Sequence, residues 1–280
     1  MDKNFDKGLL LAGFGSFWWG FVGVLYFKYL TFIGHVELVV HRCLWTTFTL
    51  LLTTIFFSKW QIFIDIIFNK KKLIYLFFSG FLIFLNWAVW IYAVATERII
   101  DASFGYFFFK EKLNRNRIFS ISLVIISILF LILISFRSLP WVGIIVALSW
   151  GFYNLIRKKI NIDTDVGLLI ESLFILPIAI VAFYIIVANG HNDFKLSEPS
   201  MMIFIFLAGP MTVIPLFLYV RGVELCGLGP TGMIFYITPT LQFLLGFFYY
   251  DEPFSMIRLV SFIFIWIAVI IYLKDLYETS

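Results

Sequence analysis

Few side chains in this sequence could do chemistry, and most of those lie inside long apolar stretches. His41 and Arg42 are neighbours within the apolar window 36–57. A charged group at the centre of a bilayer costs about 2.5 kcal/mol or more on insertion scales, so it needs a reason to be there. Arg42 could attract an anionic or carboxylate-bearing substrate, and His41 could titrate near neutral pH. The structural alternatives are hydrogen bonds to backbone carbonyls of neighbouring helices. Asn86 and Trp90 are four residues apart and share a helix face, with Trp87 beside them. An amide next to indoles makes a mostly apolar wall with one polar handle, as a small-molecule site requires. Interhelical hydrogen bonding by Asn86 is the other reading. Trp150, Tyr153 and Asn154 fall at i, i+3 and i+4 and line a cavity or pack a core; Trp18 and Trp19 are their counterparts near the N-terminus. Tyr236, Thr238 and Gln242 surround Pro239, where a kink would free carbonyls for binding or gating. Glu171 is the acid read as lying well inside an apolar window. It either carries a coupling proton or pairs with Arg157, Lys158 or Lys159.

These residues must be positioned by helices in a membrane. The chain is 62% hydrophobic and 14% charged, far from the balance of a soluble domain. Nine windows are long and apolar: 8–27, 36–57, 73–95, 118–135, 141–156, 167–188, 201–220, 231–250 and 256–273. The first runs too far, without a cleavage site, to be a signal peptide and is read as a span. The stretch 58–72, "SKWQIFIDIIFNKKK", is amphipathic and basic-ended and suits a helix lying at the interface. The net charge of +4 comes from short basic clusters between spans, which is no nucleic-acid signal. Cys43 and Cys226 have no partners at metal-ligand spacing, so neither a disulfide framework nor a metal site is expected. With three histidines and no nucleophile motif, metal-protease motif or phosphate-binding loop, the chain does not read as an enzyme.

One stretch breaks the pattern. Residues 102–109, "ASFGYFFF", are apolar or small, but eight helical residues rise only about 12 Å against a core of about 30 Å. If the chain nevertheless crosses there, the Lys and Arg residues other than Arg42 divide fifteen to five in favour of the side holding both termini. If it does not cross, that bias is lost. The charges are therefore placed for ten crossings with both ends in the cytoplasm.

The chain also repeats itself. "SFWWG" at 16–20 answers to "SWG" at 149–151, and the stretch from Ala102 answers to the one from Pro230. Residues 1–138 and 139–280 would each hold five spans. An odd number inverts the second half relative to the first, as in many secondary transporters. Against the second half, the first lacks about 13 residues after Phe107, so the expected architecture is all-α and polytopic: two inverted five-helix repeats, nine full spans and a short stump.

Several motifs carry a resemblance: "HRCLW" at 41–45, "NWAVWIYAV" at 86–94, "ASFGYF" at 102–107, "LSWGFYNLIRKKI" at 148–160, "GLLIESLFILPIA" at 167–179, "LAGPMTVIPLFLY" at 207–219 and "YITPTLQFLLGFFYYDEPFS" at 236–255. Together they resemble the RarD branch of the drug/metabolite transporter superfamily, built from EamA-type repeats. That resemblance implies ten helices around a central cavity in a bacterial inner membrane, and export of small metabolites or drugs; the best-known member's name refers to chloramphenicol sensitivity. In the family, the segment after "GYF" continues through a full helix, most of which is missing here. A degenerate, non-transporting membrane protein is therefore the alternative. The expected partners are a small-molecule substrate, the lipid bilayer and, as coupling ion, a proton. No nucleic acid and no cofactor are expected.

Overall fold

The computed structural model describes residues 3–96, 114–135, 141–160, 162–194, 199–251 and 256–279. The stump at 102–109 lies outside the described residues. Helix α1 (Lys3–Phe17) continues through a π-helical segment (Trp18–Gly23) into α2 (Val24–Tyr29). Then follow α3 (His35–Phe56), a short α4 (Trp60–Ile67), α5 (Lys70–Ala95), α6 (Arg115–Ser135), α7 (Trp141–Ile160) and α8 (Thr164–Ala188). The chain ends with α9 (Pro199–Phe206), α10 (Ala208–Cys226), α11 (Leu228–Ile234), α12 (Ile237–Phe248) and α13 (Met256–Thr279).

Seven helical stretches among the described residues are long and apolar enough to cross a membrane: Lys3–Tyr29, His35–Phe56, Lys70–Ala95, Thr164–Ala188, Ser200–Cys226, Leu228–Phe248 and Leu259–Glu278. Two windows expected as spans stand outside that set, although both are helical. Helix α7 has 20 residues, enough for about 30 Å, but Trp150, Tyr153, Asn154 and the basic run from Arg157 lower its apolarity. Helix α6 has 21 residues and packs along α13. The expected interfacial helix is the short α4, whose Ile66 is buried while Trp60 and Phe68 beside it stay exposed.

The main packing pairs are α1 with α10, α5 with α7, α3 with α8, and α6 with α13. Small residues let α1 and α10 touch: a Cβ on Gly222 would come within 2.8 Å of the Gly8 carbonyl oxygen. The lipid-facing surface is rich in phenylalanine, with Phe14, Phe77, Phe78 and Phe81 all exposed.

Contacts fix which helix ends lie together. At one end, Lys59 reaches Asp163, Thr164 reaches Glu224, and Phe5 packs in the cluster that holds Leu276. At the other, Gly34 meets Asp193, and Tyr92 packs on Trp141. Lys3, Lys7, Lys59, Lys70, Arg157, Arg221 and Lys274 all gather at the first end, called the basic end below. Asn114 and Arg117 bind Asp275 there, whereas Thr96 ends α5 at the opposite end. The chain between Thr96 and Asn114 must therefore join the two ends.

Pro239 does not kink the middle of a helix. It stands in the first turn of α12, where its missing N–H costs nothing, and the break falls just before it at Phe235 and Tyr236. The Phe235 carbonyl, which a residue 239 N–H would otherwise serve, accepts from the Thr238 N–H at 2.9 Å.

Candidate functional site

Helices from both halves of the chain converge on a small central cavity. Arg42 from α3, Asn86 and Trp90 from α5, Trp150 from α7, and Thr238 and Gln242 from α12 line it, all of them residues singled out by type and spacing. Trp19, Trp87 and Phe235 complete the wall. About 30 Å³ is open to the centre of a water molecule. That holds water but not a drug, since ligand pockets run to roughly 300–1,000 Å³.

Arg42 is 3% exposed and dominates the electrostatics of the cavity. Its Nε donates to the Thr212 hydroxyl at 3.0 Å, and that hydroxyl donates onward to the Ala208 carbonyl at 2.8 Å. The guanidinium carbon lies 4.7 Å from the Phe27 ring centroid, 4.8 Å from Trp87 and 5.7 Å from Trp90. Ring faces attract a cation and exclude water, which suits a planar guanidinium better than an ammonium.

The opposite wall is aromatic. Trp19 meets Trp150 edge to face at 5.2 Å, and Phe235 stacks on Trp150 at 5.2 Å. Tyr219 closes the group at 4.9 Å from Phe235 and 5.3 Å from Trp150. The π-helical segment carries Trp19 inward; such a turn inserts an extra residue into a helix and often marks a functional position. Its Gly20 lies against α12, where a Cβ would come within 2.9 Å of the Thr238 backbone, and Thr238 donates to the Ser16 carbonyl at 2.8 Å. Asn86 donates to the Val146 carbonyl at 3.0 Å and to Ser149 at 3.2 Å, so its amide ties α5 to α7 at the rim. Gln242 is 1% exposed, and its Oε1 accepts no hydrogen bond from the protein.

The remaining expected residues lie elsewhere. Tyr153, fully buried, stacks under Trp150 at 5.6 Å and points its hydroxyl at Glu171, 3.4 Å away. Glu171 also accepts from Ser79 at 2.6 Å and pairs with Arg157 at 3.5 Å. Asn154 donates back to the Trp150 carbonyl at 2.8 Å. Tyr236 is buried in a separate cluster with Met233 and Tyr272, and Pro239 is buried off the cavity. His41 faces away from Arg42, toward Phe183, Phe194 and Glu37. Glu37 is another buried acid, close to the start of α3, that hydropathy does not single out. Phe235, Tyr219 and Thr212 were also passed over: a phenylalanine among 36 gives no signal, and the other two looked like ordinary span residues.

A second, polar cavity opens at the basic end. Its 350 Å³ is lined by Lys59, Asp163, Thr164, Arg221 and Glu224 with Ile162 and Phe217. Lys59 donates to Asp163 at 3.0 Å and to Asp165 at 2.7 Å. Partial burial opposes charge on Lys59, yet hydrogen bonds and attraction from Asp165 and Asp163 outweigh it and raise its pKa. For Asp163 burial again works against the charge, but bonds to Asp165 and Lys59 hold its pKa below the usual carboxylate value.

A bundle of apolar helices around a cavity with one boxed guanidinium is the architecture of a multi-pass membrane transport protein. The sequence comparisons agree. An uncharacterized transporter of Vibrio cholerae is 31% identical, with 98% of this chain and 94% of the relative aligned. The protein RarD of Escherichia coli K12 is 30% identical, with 99% and 97% aligned. An uncharacterized transporter of Bacillus subtilis 168 is 29% identical, with 95% and 93% aligned. No family model matches the chain. The chain belongs to the RarD-type permeases and is a multi-pass protein of the bacterial inner membrane. The alignment with the Escherichia coli relative runs over 290 positions, against 280 residues here, so the relative has positions without a counterpart in this chain.

Proposed function

We propose that this protein is a secondary-active exporter of small metabolites or drugs, and that the Arg42 cavity is its substrate site. The observation that carries this is the convergence of Arg42, Asn86, Trp90, Trp150 and Gln242 from helices of both halves on one small, water-sized space. A site between two halves is what alternating access needs: one half rocks against the other and the cavity opens to each side in turn. The helix pairing favours two repeats, 1–138 and 139–280. Counting spans in the ten-span plan, the first packs on the eighth and the third on the sixth, which exchange under a two-fold relation; the second packs on the seventh and the fifth on the tenth, pairs that map onto themselves. The concentration of Lys and Arg at the basic end favours a cytoplasmic location for that end and for both termini.

Inverted vesicles holding the protein should accumulate substrate under a proton gradient. Chloramphenicol, to which the name of the best-known family member refers, is the first probe, beside a panel of aromatic carboxylates and neutral amides. Flux should fall about tenfold or more in Arg42→Ala, the loss of one desolvated cation–π box of about 2 kcal/mol. Absence of flux for the whole panel, with Arg42→Ala and Trp150→Ala matching the parent, would favour the degenerate, non-transporting alternative.

A further inference from the structure

We propose that Glu37, paired with His41, is a proton-binding site whose occupancy opens the end of the bundle opposite the basic end. This rests on reading the protein as a gated transporter and names its coupling site. Four acids are buried among the described residues: Glu37, Asp165, Glu171 and Asp275. Asp165 has Lys59, Glu171 has Arg157 and Asp275 has Arg117 as basic partner. Glu37 has an imidazole instead, with His41 Nε2 at 3.6 Å from its Oε1.

The carboxylate is also a latch. Its two oxygens accept the backbone N–H groups of Asp193 at 2.7 Å and Phe194 at 3.3 Å, in the turn after α8. The Asp193 carboxylate returns the bond, accepting the Gly34 N–H at 2.8 Å just before α3. The turns at this end of α3 and α8 thus hold each other by side chain-to-backbone bonds. The His41 ring is flanked by Phe183 at 5.3 Å and Phe194 at 5.0 Å, and neither of its nitrogens is hydrogen-bonded.

A carboxylate can accept from both amides, whereas a neutral acid turns one oxygen into a donor. With His41 neutral, the pair carries one negative charge, supported by the two N–H groups. One added proton neutralises it, and the His41 nitrogen beside Glu37 can accept the new O–H. The proton on Oε1 therefore competes with the Phe194 N–H and leaves the latch only the Asp193 bond to Oε2. The other titratable groups nearby are engaged or exposed: His35 lies on Tyr92, Asp193 on the Gly34 N–H, and His191 faces solvent. Arg42, next in sequence to His41, turns the other way into the cavity. One turn of α3 therefore bears the proton site on one face and the substrate-facing cation on the other.

The test uses the full chain in nanodiscs, with spin labels at Phe32→Cys and Asn189→Cys on a background free of Cys43 and Cys226. Both label positions are exposed, on the two turns that the latch joins. The long-distance population should rise as pH falls, by at most about tenfold per pH unit, the limiting slope of one proton. Glu37→Gln should show the long distance at every pH. His41→Asn should move the midpoint of the parent's transition, which keeps the test open if Glu37→Gln does not fold. A parent distance independent of pH, a parent-like pH response in Glu37→Gln, or an unmoved midpoint in His41→Asn overturns the proposal. Flux that persists under any of these results leaves the transport reading intact; pH-dependent opening without flux removes the transport reading alone.

Discussion

Arg42 shows how one side chain can be kept charged in a membrane. Three ring faces and a hydroxyl replace part of its water, and the cavity supplies the open side. Charge alone is not enough here, because a lysine ammonium cannot stack flat between rings. Arg42→Lys should therefore keep the protein folded yet cut flux several-fold, measured beside Arg42→Ala in the same vesicles. A second residue prediction concerns Gly167. A Cβ there would run into the Arg157 guanidinium, which also receives Glu171 and donates to the Thr164 carbonyl at 3.1 Å. Gly167→Ala should lower stability by about 1–3 kcal/mol, read as a drop in thermal midpoint in detergent. The site residues that chemistry and spacing could find, Arg42, Asn86, Trp90, Trp150 and Gln242, do converge. Those that could not be found are partners such as Thr212 and Phe235, whose roles exist only because another helix brings Arg42 or Trp150 to them.

At the scale of elements, the π-helical turn and the α3–α8 pair matter most. Deleting Trp18 should turn the π segment into ordinary helix and rotate Trp19 off the Trp150 edge. Flux should be lost while helix content by circular dichroism is kept; unchanged flux would show that the turn has no bearing on the site. Helices α3 and α8 are joined at both ends, by the Glu37 latch at one and by Lys59 with Asp163 and Asp165 at the other. The two clasps differ in their response to pH. The raised pKa of Lys59 contributes stability that is complete below the ordinary lysine value, about 10.4, and lost as pH rises through the higher folded value. The lowered pKa of Asp163 contributes stability present above the ordinary aspartate value, about 3.9, and lost as pH falls through the lower folded value. The basic-end clasp should hold across pH 5–8, so a label pair spanning Ser58 and Ile162 should report no distance change there. Lys59→Met should separate that pair at neutral pH.

For the whole molecule, the question raised by the short stretch at 102–109 is one of connection. Asn114 lies with Asp275 at the basic end and Thr96 at the other, so the chain changes ends between them. A cysteine placed at Asn114 should react with impermeant maleimide from the same side as one at Lys3, and one at Gly190 from the opposite side. Labelling of Asn114→Cys on the Gly190 side would contradict the ten-crossing plan.

Hydropathy and charge, by themselves, determined that this chain is a helical membrane protein, roughly where its helices run, and that its basic loops share one side. Those properties follow from the cost of burying charge and unpaired backbone in lipid, which each segment feels on its own. The sequence also singled out much of the cavity, because a polar or indole side chain inside a span is conspicuous. Only the tertiary structure decided which of these residues meet. It turned His41 away from Arg42 and toward Glu37, set Tyr236 in another cluster, and joined Glu171 to Arg157. Helix rotation and helix pairing are set by packing between segments far apart in the chain, and no periodicity within one segment contains that information.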